Sequence, residues 1–190
     1  MRTSNKSHMR PKKSQIRQSD VAGTRAVPTA AAPPTGKVGA VLGGTEIKIA
    51  YKIGYILNFY REPSFRRIEM QYGITRPEIV TLIFLNFREG VTASDICEFS
   101  GHLKANISRG IIALERKKLL RRETDPADNR RQLLYITAAG RELYAKYIPA
   151  LREREHAMLT CLTAAERRTF ESLLDKLAAH VPQWATPGEL

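Results

Sequence analysis

Two short helical patterns separated by a tight break lie within residues 92–114 and constrain the fold more than any other feature. The first begins at Thr92, which stands three residues before Asp95 as in a capping box, and it ends at Gly101. The second carries its apolar residues on one face, namely Leu103, Ile107, Ile111 and Leu114. The sequence therefore predicts two helices, of which the second buries one side and presents the other side for contact.

The chain continues as two strand patterns, LLRRET and QLLYIT, on either side of the polar stretch DPADNRR (residues 125–131). Polar turn residues between two such runs predict a β-hairpin, here with arginines at its tip. Two short helices followed by a hairpin are the element order of a winged helix-turn-helix. We therefore predict a mainly helical, α+β fold with a small β-hairpin wing.

The polar side of the second helix is expected to enter the major groove of DNA, because that groove admits a helix with small and polar exposed residues. The predicted contact residues on this helix are Lys104, Ala105, Asn106, Ser108 and Arg109. Arg130 and Arg131 of the wing are expected in the adjacent minor groove, whose negative potential favours arginine. We expect Asp128 to bond Arg130 and to shape the wing.

Positive charge is concentrated in two parts of the chain, whose formal net charge is +12. Residues 104–131 hold nine basic and four acidic residues, and residues 1–45 hold eight basic residues and one acidic residue. Because DNA carries a dense array of phosphates, this distribution favours a nucleic-acid partner. The side chains of Arg116, Lys117 and Lys118 either contact phosphates or only favour the dipole at a helix end.

The first 45 residues predict a disordered basic tail. They are rich in Ser, Thr, Pro and Gly and hold almost no large apolar residues, so their folding entropy would not be offset. Two alternatives remain open, a mitochondrial transit peptide and a start at Met9. Residues 182–190 are predicted to form a short C-terminal tail.

Longer helical patterns flank the predicted DNA-binding lobe, residues 75–136. One lies in residues 46–74, where Pro63 is expected to end or kink the helix. Residues 137–181 contain two more helices, each opened by a capping threonine. Because these apolar stripes exceed what one small lobe can cover, we predict that both segments form a dimerisation region. The stripe of the first helix is Ile49, Ile53, Ile56 and Tyr60.

Residues 79–177 resemble the multiple-antibiotic-resistance regulator (MarR) family. The resemblance rests on the segment ISRGIIALERKKLLRR, the wing DPADNRRQLLYIT, the AAG after Thr137 and the LTAAE that opens the last helix. It implies an obligate homodimer held by the terminal helices, a pseudo-palindromic operator, and release by a small ligand lodged between the dimer helices and the DNA-binding lobe. The chain departs from the family pattern at Lys118, where Gly is usual, and at Asn129, where Arg is common.

An aromatic group on the first helix, formed by Tyr51, Tyr55 and Phe59, is a candidate pocket for an aromatic effector. The alternative is that these rings belong to the dimer core. We expect a homodimeric repressor that binds double-stranded DNA and is released by a small-molecule effector. An architectural or RNA-associated winged-helix protein without an effector is the alternative function.

The sequence offers no nucleophile–base pair, phosphate loop or metal-ligand cluster, so we expect no enzyme, cofactor or metal site. Only two cysteines occur, Cys97 and Cys161, which favours a reducing, cytoplasmic location. Cys97 is expected to be a buried structural thiol. No apolar run approaches the ~18–20 residues of a membrane span, so no membrane partner is expected.

Overall fold

The computed structural model describes residues 34–185. This part of the chain contains seven helices and one antiparallel hairpin, which confirms the predicted mainly helical fold with a two-stranded wing. The elements are α1 (Gly36–Gly44), α2 (Lys48–Tyr72), α3 (Arg76–Phe87), α4 (Ala93–Ser100), α5 (Lys104–Arg116), β1 (Leu120–Asp125), β2 (Asp128–Ile136), α6 (Ala138–Met158) and α7 (Ala164–Trp184).

One apolar core joins the helix-turn-helix, the hairpin and α6. Tyr147 of α6 is 1% exposed, and its hydroxyl donates to the carbonyl oxygen of Ile79 at 3.4 Å. Because a buried aromatic side chain removes a large apolar area from water, this contact anchors α6 to the predicted DNA-binding lobe. Other buried members of the core are Leu82, Leu85, Ile96, Ile107, Leu114, Leu120 and Leu134.

Threonines begin four of the helices, as the sequence predicts. In α3, α4 and α7 the threonine N–H donates to the carboxylate three residues later: Thr75 to Glu78 at 2.8 Å, Thr92 to Asp95 at 2.7 Å and Thr163 to Glu166 at 2.7 Å. At α6 the hydroxyl of Thr137 accepts from the N–H of Gly140 at 3.1 Å. Such caps satisfy backbone N–H groups that have no partner within the helix, and together they define where the helices begin.

Helix α2 continues through Pro63, so of the two expected effects of this proline the end of the helix is wrong, and a kink stays a prediction. Pro63 lacks the N–H that would otherwise bond to the carbonyl of Phe59. The guanidinium of Arg154, on α6, donates through Nη2 to this carbonyl and through Nε to the carbonyl of Tyr60 at 3.0 Å. The helix persists because a side chain from α6 supplies the donor that proline removes.

The ends of the described region are more helical than predicted. Helix α1 lies within the segment expected to be disordered, and its Leu42 is only 8% exposed because it packs against α2. At the other end, α7 extends to Trp184, so residues 182–184 are helical where a tail was expected. The rest of the predicted tails, residues 1–33 and 186–190, lies outside the described residues.

Helix α5 ends in a Schellman motif. The N–H of Leu119 donates to the carbonyl of Leu114 and the N–H of Lys118 donates to that of Glu115, both at 2.9 Å. This motif requires a left-handed residue, and Lys118 has φ +59°. Glycine adopts that conformation freely, whereas a residue with a Cβ is disfavoured by on the order of 1 kcal/mol. Lys118 therefore adopts a conformation that glycine adopts more readily, at a small cost in stability.

The wing pairs β1 with β2 in antiparallel register from Leu120 opposite Ile136 to Thr124 opposite Gln132. The next pair is Asp125 with Asp128, so residues 129–131 form an irregular, unpaired stretch of β2. The turn itself comprises only residues 126–127. The predicted turn over residues 125–131 is therefore too long, and the wing arginines lie on the bulged start of β2.

Candidate nucleic-acid interface

Five of the seven residues predicted to contact DNA lie in the first two turns of α5, and the other two lie on the wing. Lys104, Ala105 and Arg109 are exposed, while Asn106 and Ser108 are half-buried. Leu103, expected on the packing face, is instead 53% exposed, because it precedes the helix with a non-helical backbone. The face that packs on the core consists of Ile107, Gly110, Ile111 and Leu114.

Asn106 and Arg109 are bonded to each other. Nη2 of Arg109 donates to Oδ1 of Asn106 at 2.6 Å, and Nε donates to the carbonyl oxygen of Ala105 at 3.3 Å. The Asn106 oxygen has a second lone pair and its amide nitrogen keeps two donors, so it can still contact an adenine edge. The pair therefore holds both side chains in position on the exposed face of α5.

The two wing arginines differ in their partners. Arg131 Nη1 lies 3.6 Å from Asp125 Oδ2, and its side chain is about half exposed. Arg130 is exposed, and it takes part in no ion pair within residues 34–185. Because a guanidinium already paired with a carboxylate must exchange that partner for DNA, Arg130 is the better candidate for the minor groove.

Asp128 bonds Arg130 through the backbone. Its Oδ1 accepts from the N–H of Arg130 at 3.0 Å, and Asp125 Oδ1 accepts in the same way from the N–H of Ala127 at 2.9 Å. Such side chain to backbone bonds two residues apart are typical of Asx turns. Asp128 therefore shapes the start of β2, but it does not hold the Arg130 guanidinium as the sequence suggested.

Strand β1 adds two basic residues that sequence reasoning did not select. The guanidinium carbon of Arg121 lies 4.5 Å from the centre of the Tyr135 ring, and Arg121 also pairs with Glu123. Arg122 Nε lies 3.0 Å from Glu115 Oε2. Glu115 and Glu123 lie within a few positions of these arginines in the sequence. This proximity is the only sequence signal that the arginine charges are partly neutralised.

Lys117 has a structural role. Its Nζ lies 2.6 Å from Oε1 of Glu78, a carboxylate that is only 2% exposed, and it donates to the carbonyl oxygen of Gly73 at 2.7 Å. A buried carboxylate requires such a counter-charge. In the basic cluster at the end of α5, Arg116 and Lys118 are exposed. Phosphate contact therefore remains an alternative to the helix-dipole role for these two residues.

Two titratable groups next to the interface have pKa values shifted in the direction that favours the neutral form. Burial lowers the pKa of His102, at the break between α4 and α5; the hydrogen bond to the Ser100 backbone opposes this shift, and the nearby Arg76 and Arg61 add to it. Burial raises the pKa of the half-buried Cys97 thiol, with Lys104 opposing the shift. A protonated thiol is a weak nucleophile, which agrees with the expected structural role of Cys97.

The candidate effector residues do not line a single pocket. Tyr51 and Tyr55 line an apolar groove of about 680 Å³ between α1 and α2. Phe59 lines a separate cavity of about 340 Å³ toward α6, to which Tyr55 also contributes. The ring centres of Tyr55 and Phe59 lie 4.8 Å apart, and Tyr55 borders both spaces.

Between residues 34 and 185, no helix has the length and apolar character to cross a lipid bilayer. Over the same range, no three His, Cys, Asp or Glu side chains converge as a metal site would require.

Residues 72–131, from the end of α2 to the bulge of β2, match the model of the MarR family. The resemblance to the MarR family is confirmed. Transcriptional regulator HosA of Escherichia coli is 28% identical over 104 residues, which are 55% of this chain and 77% of HosA. An HTH-type transcriptional repressor of Mycobacterium tuberculosis is 24% identical over 131 residues, 69% of this chain and 91% of the repressor. Both relatives are named as transcriptional regulators.

Solved structures show the same MarR fold. A MarR family transcriptional regulator from Silicibacter pomeroyi superposes with a TM-score of 0.67 at 24% identity, covering 82% of this chain and all of that chain. The S. aureus MepR–DNA complex superposes with a TM-score of 0.61 at 25% identity, covering 70% of this chain and 98% of MepR. A protein of this fold therefore binds DNA in at least one solved complex.

Proposed function

We propose that this chain is a sequence-specific, double-stranded DNA-binding transcriptional regulator that inserts α5 into the major groove and the wing into the adjacent minor groove. The observation that carries the proposal is the exposed polar start of α5 beside a hairpin whose Arg130 is exposed and outside any described ion pair. The DNA in the similar MepR complex and the regulator names of the relatives support it. As a DNA-binding regulator, it would act in the cytoplasm.

The residues of α5 divide into two roles in this proposal. Asn106 pairs with adenine and Arg109 with guanine, because both side chains match the major-groove edges of those bases. Lys104 and Ser108 contact phosphates, and Ala105 leaves room for the backbone to approach. Phosphate contacts supply most of the affinity, whereas the two base contacts supply the specificity.

The replacement Asn106→Ala tests this division. It should weaken binding to the preferred duplex by about 1–3 kcal/mol and relax the preference at one position of each half-site. Binding to a scrambled duplex should hardly change, because non-specific binding depends on phosphates. Fluorescence anisotropy with a duplex enriched from random sequences measures both affinities.

The matched control for Asn106→Ala is Gln71→Ala, which removes an exposed amide side chain from α2. This control should leave both affinities unchanged. Equal losses of affinity for the preferred and the scrambled duplex on Asn106→Ala would contradict the role of Asn106 in base recognition.

We also propose that the regulator is a homodimer. The stripe of α7 contains no buried residue, and on α2 Ile49 and Ile53 are 67% and 40% exposed. Apolar surfaces of this extent are typical of protein interfaces. A two-fold dimer would present two copies of α5 to a pseudo-palindromic operator. On the α7 stripe the exposed residues are Phe170, Leu173, Leu174, Leu177, Val181 and Trp184.

We further propose that the regulator is a repressor that a small aromatic effector releases from DNA. The apolar groove between α1 and α2 supports it, because Tyr51 and Tyr55 offer ring surfaces in a space large enough for a small molecule. An effector that binds there should weaken operator binding in the anisotropy assay. A compound that quenches the fluorescence of these tyrosines without releasing DNA would contradict the effector role of this groove.

A further inference from the structure

The carboxylate of Glu89 joins three elements at the base of the wing. Glu89 follows α3, and its Oε1 accepts from the N–H of Ile136, the last residue of β2, at 3.0 Å. Its Oε2 lies 2.8 Å from Nη2 of Arg141, in the first turn of α6. A single side chain therefore bonds the end of the hairpin and the start of α6 at the same time.

Other contacts fix the same region. The N–H of Gly90 donates to the carbonyl of Leu134 at 2.9 Å, and the N–H of Leu134 donates to that of Val91 at 2.8 Å. Gly140 approaches the carbonyl oxygen of Leu119 so closely that a Cβ at this position would stand 2.1 Å from it. The base of the hairpin is thus held by several bonds, whereas residues 126–132 at its tip are exposed.

We propose that Glu89 and Arg141 are positioning residues that set the direction of the wing relative to α6, and so determine whether Arg130 reaches the minor groove. This inference rests on the proposed function as a DNA-binding regulator. Neither side chain touches DNA in this proposal. Both act through the hairpin that carries Arg130.

Because the wing is long, a small tilt at its base displaces its tip by a large distance. Arg130 lies six positions before Ile136, which at about 3.3 Å per position places Arg130 up to about 20 Å from the joint. A tilt of about 10° at the base then moves the arginine by about 3–4 Å, whereas a hydrogen bond tolerates only about 0.5 Å. Loss of the Glu89–Arg141 pair should therefore weaken the minor-groove contact.

The stability of the fold should respond much less than DNA binding. The Glu89 and Arg141 side chains are 35% and 46% exposed, and ion pairs this exposed contribute little to folding. The replacement Glu89→Gln keeps an oxygen that accepts from the N–H of Ile136 and removes only the charge. We expect this variant to melt within a few degrees of the unchanged chain.

A double-mutant cycle in the full chain tests the proposal. The probe is a duplex enriched from random sequences by the unchanged protein, with binding followed by fluorescence anisotropy. Arg130→Ala should weaken binding about tenfold and Glu89→Gln about fivefold. The combination should bind within about twofold of Arg130→Ala alone, since a wing without its arginine gains nothing from correct positioning.

The outcomes separate the two proposals. A double variant about fiftyfold weaker than the unchanged chain would show independent effects and overturn the positioning role. No loss on Arg130→Ala would contradict both the wing contact and the positioning role. Loss on Arg130→Ala with no loss on Glu89→Gln would overturn the inference alone and leave the proposed function standing.

Two further variants exclude simpler explanations. Arg141→Met removes the other partner and should reproduce the fivefold loss and the lack of additivity with Arg130→Ala. Glu142→Gln also removes one negative charge, at an exposed position next to Arg141 on α6. This control should leave binding unchanged. A loss on Glu142→Gln equal to that on Glu89→Gln would attribute the effect to net charge and overturn the proposal.

Discussion

Replacing Leu173 and Leu177 of α7 by aspartate should convert the regulator to a monomer and lower its affinity for its preferred duplex by about 100-fold or more. Both leucines are 52% exposed in the single chain. Their replacement therefore removes little packing within one protomer, and the charge is unfavourable only where a second copy would cover it. A monomer contacts one half-site at a time and loses the advantage of linked binding.

Light scattering at micromolar concentration gives the mass of the double variant, and anisotropy gives its affinity. The control is Ser172→Asp, which adds a charge to the opposite, exposed side of α7. This control should stay dimeric and bind normally. A monomeric unchanged chain, or a double variant that remains a tight-binding dimer, would contradict the dimer interface on α7.

The replacement Lys117→Met should lower the free energy of unfolding by about 2–3 kcal/mol. It leaves the 2% exposed carboxylate of Glu78 without its positive partner, while the bonds to Glu78 from the N–H and hydroxyl of Thr75 remain. Lys117 itself is 39% exposed, so water can partly replace it. The loss should therefore lie below that of a fully buried ion pair.

Urea denaturation at one fixed protein concentration measures this change, because a dimer's apparent stability depends on concentration. Arg116→Met removes the neighbouring positive charge at an exposed site and should cost less than about 0.5 kcal/mol. Equal stability of the two variants would show that Glu78 does not depend on Lys117. It would also reopen the alternative that Lys117 serves phosphate binding.

Local features of this protein could be predicted from its sequence. The threonine caps pair residues three positions apart, so Thr92 and Asp95 disclose the start of α4 without any knowledge of the tertiary fold. The periodicity of α5 likewise separates its packing side from its exposed side. The order of these elements was then enough to predict the winged helix-turn-helix, although Leu103, predicted on the packing side of α5, is exposed.

Features that depend on distant partners could not be predicted. Glu78 and Lys117 lie 39 positions apart, and Arg154 completes the hydrogen bonding of α2 from 95 positions away. Neither partner can be inferred from a spacing along one helix. The same holds for Leu42, which makes α1 part of the folded unit because α2 provides apolar surface for it.

Sequence-specific insertion of α5 is tested most directly by the ratio of two affinities at an ionic strength near 0.15 M. The purified chain should bind a duplex enriched from random sequences about 1,000-fold more tightly than a scrambled duplex of the same composition. The enriched sequences should contain two related half-sites about 10 base pairs apart. Equal, weak binding to every duplex, or preference for RNA, would contradict recognition through α5 and the wing.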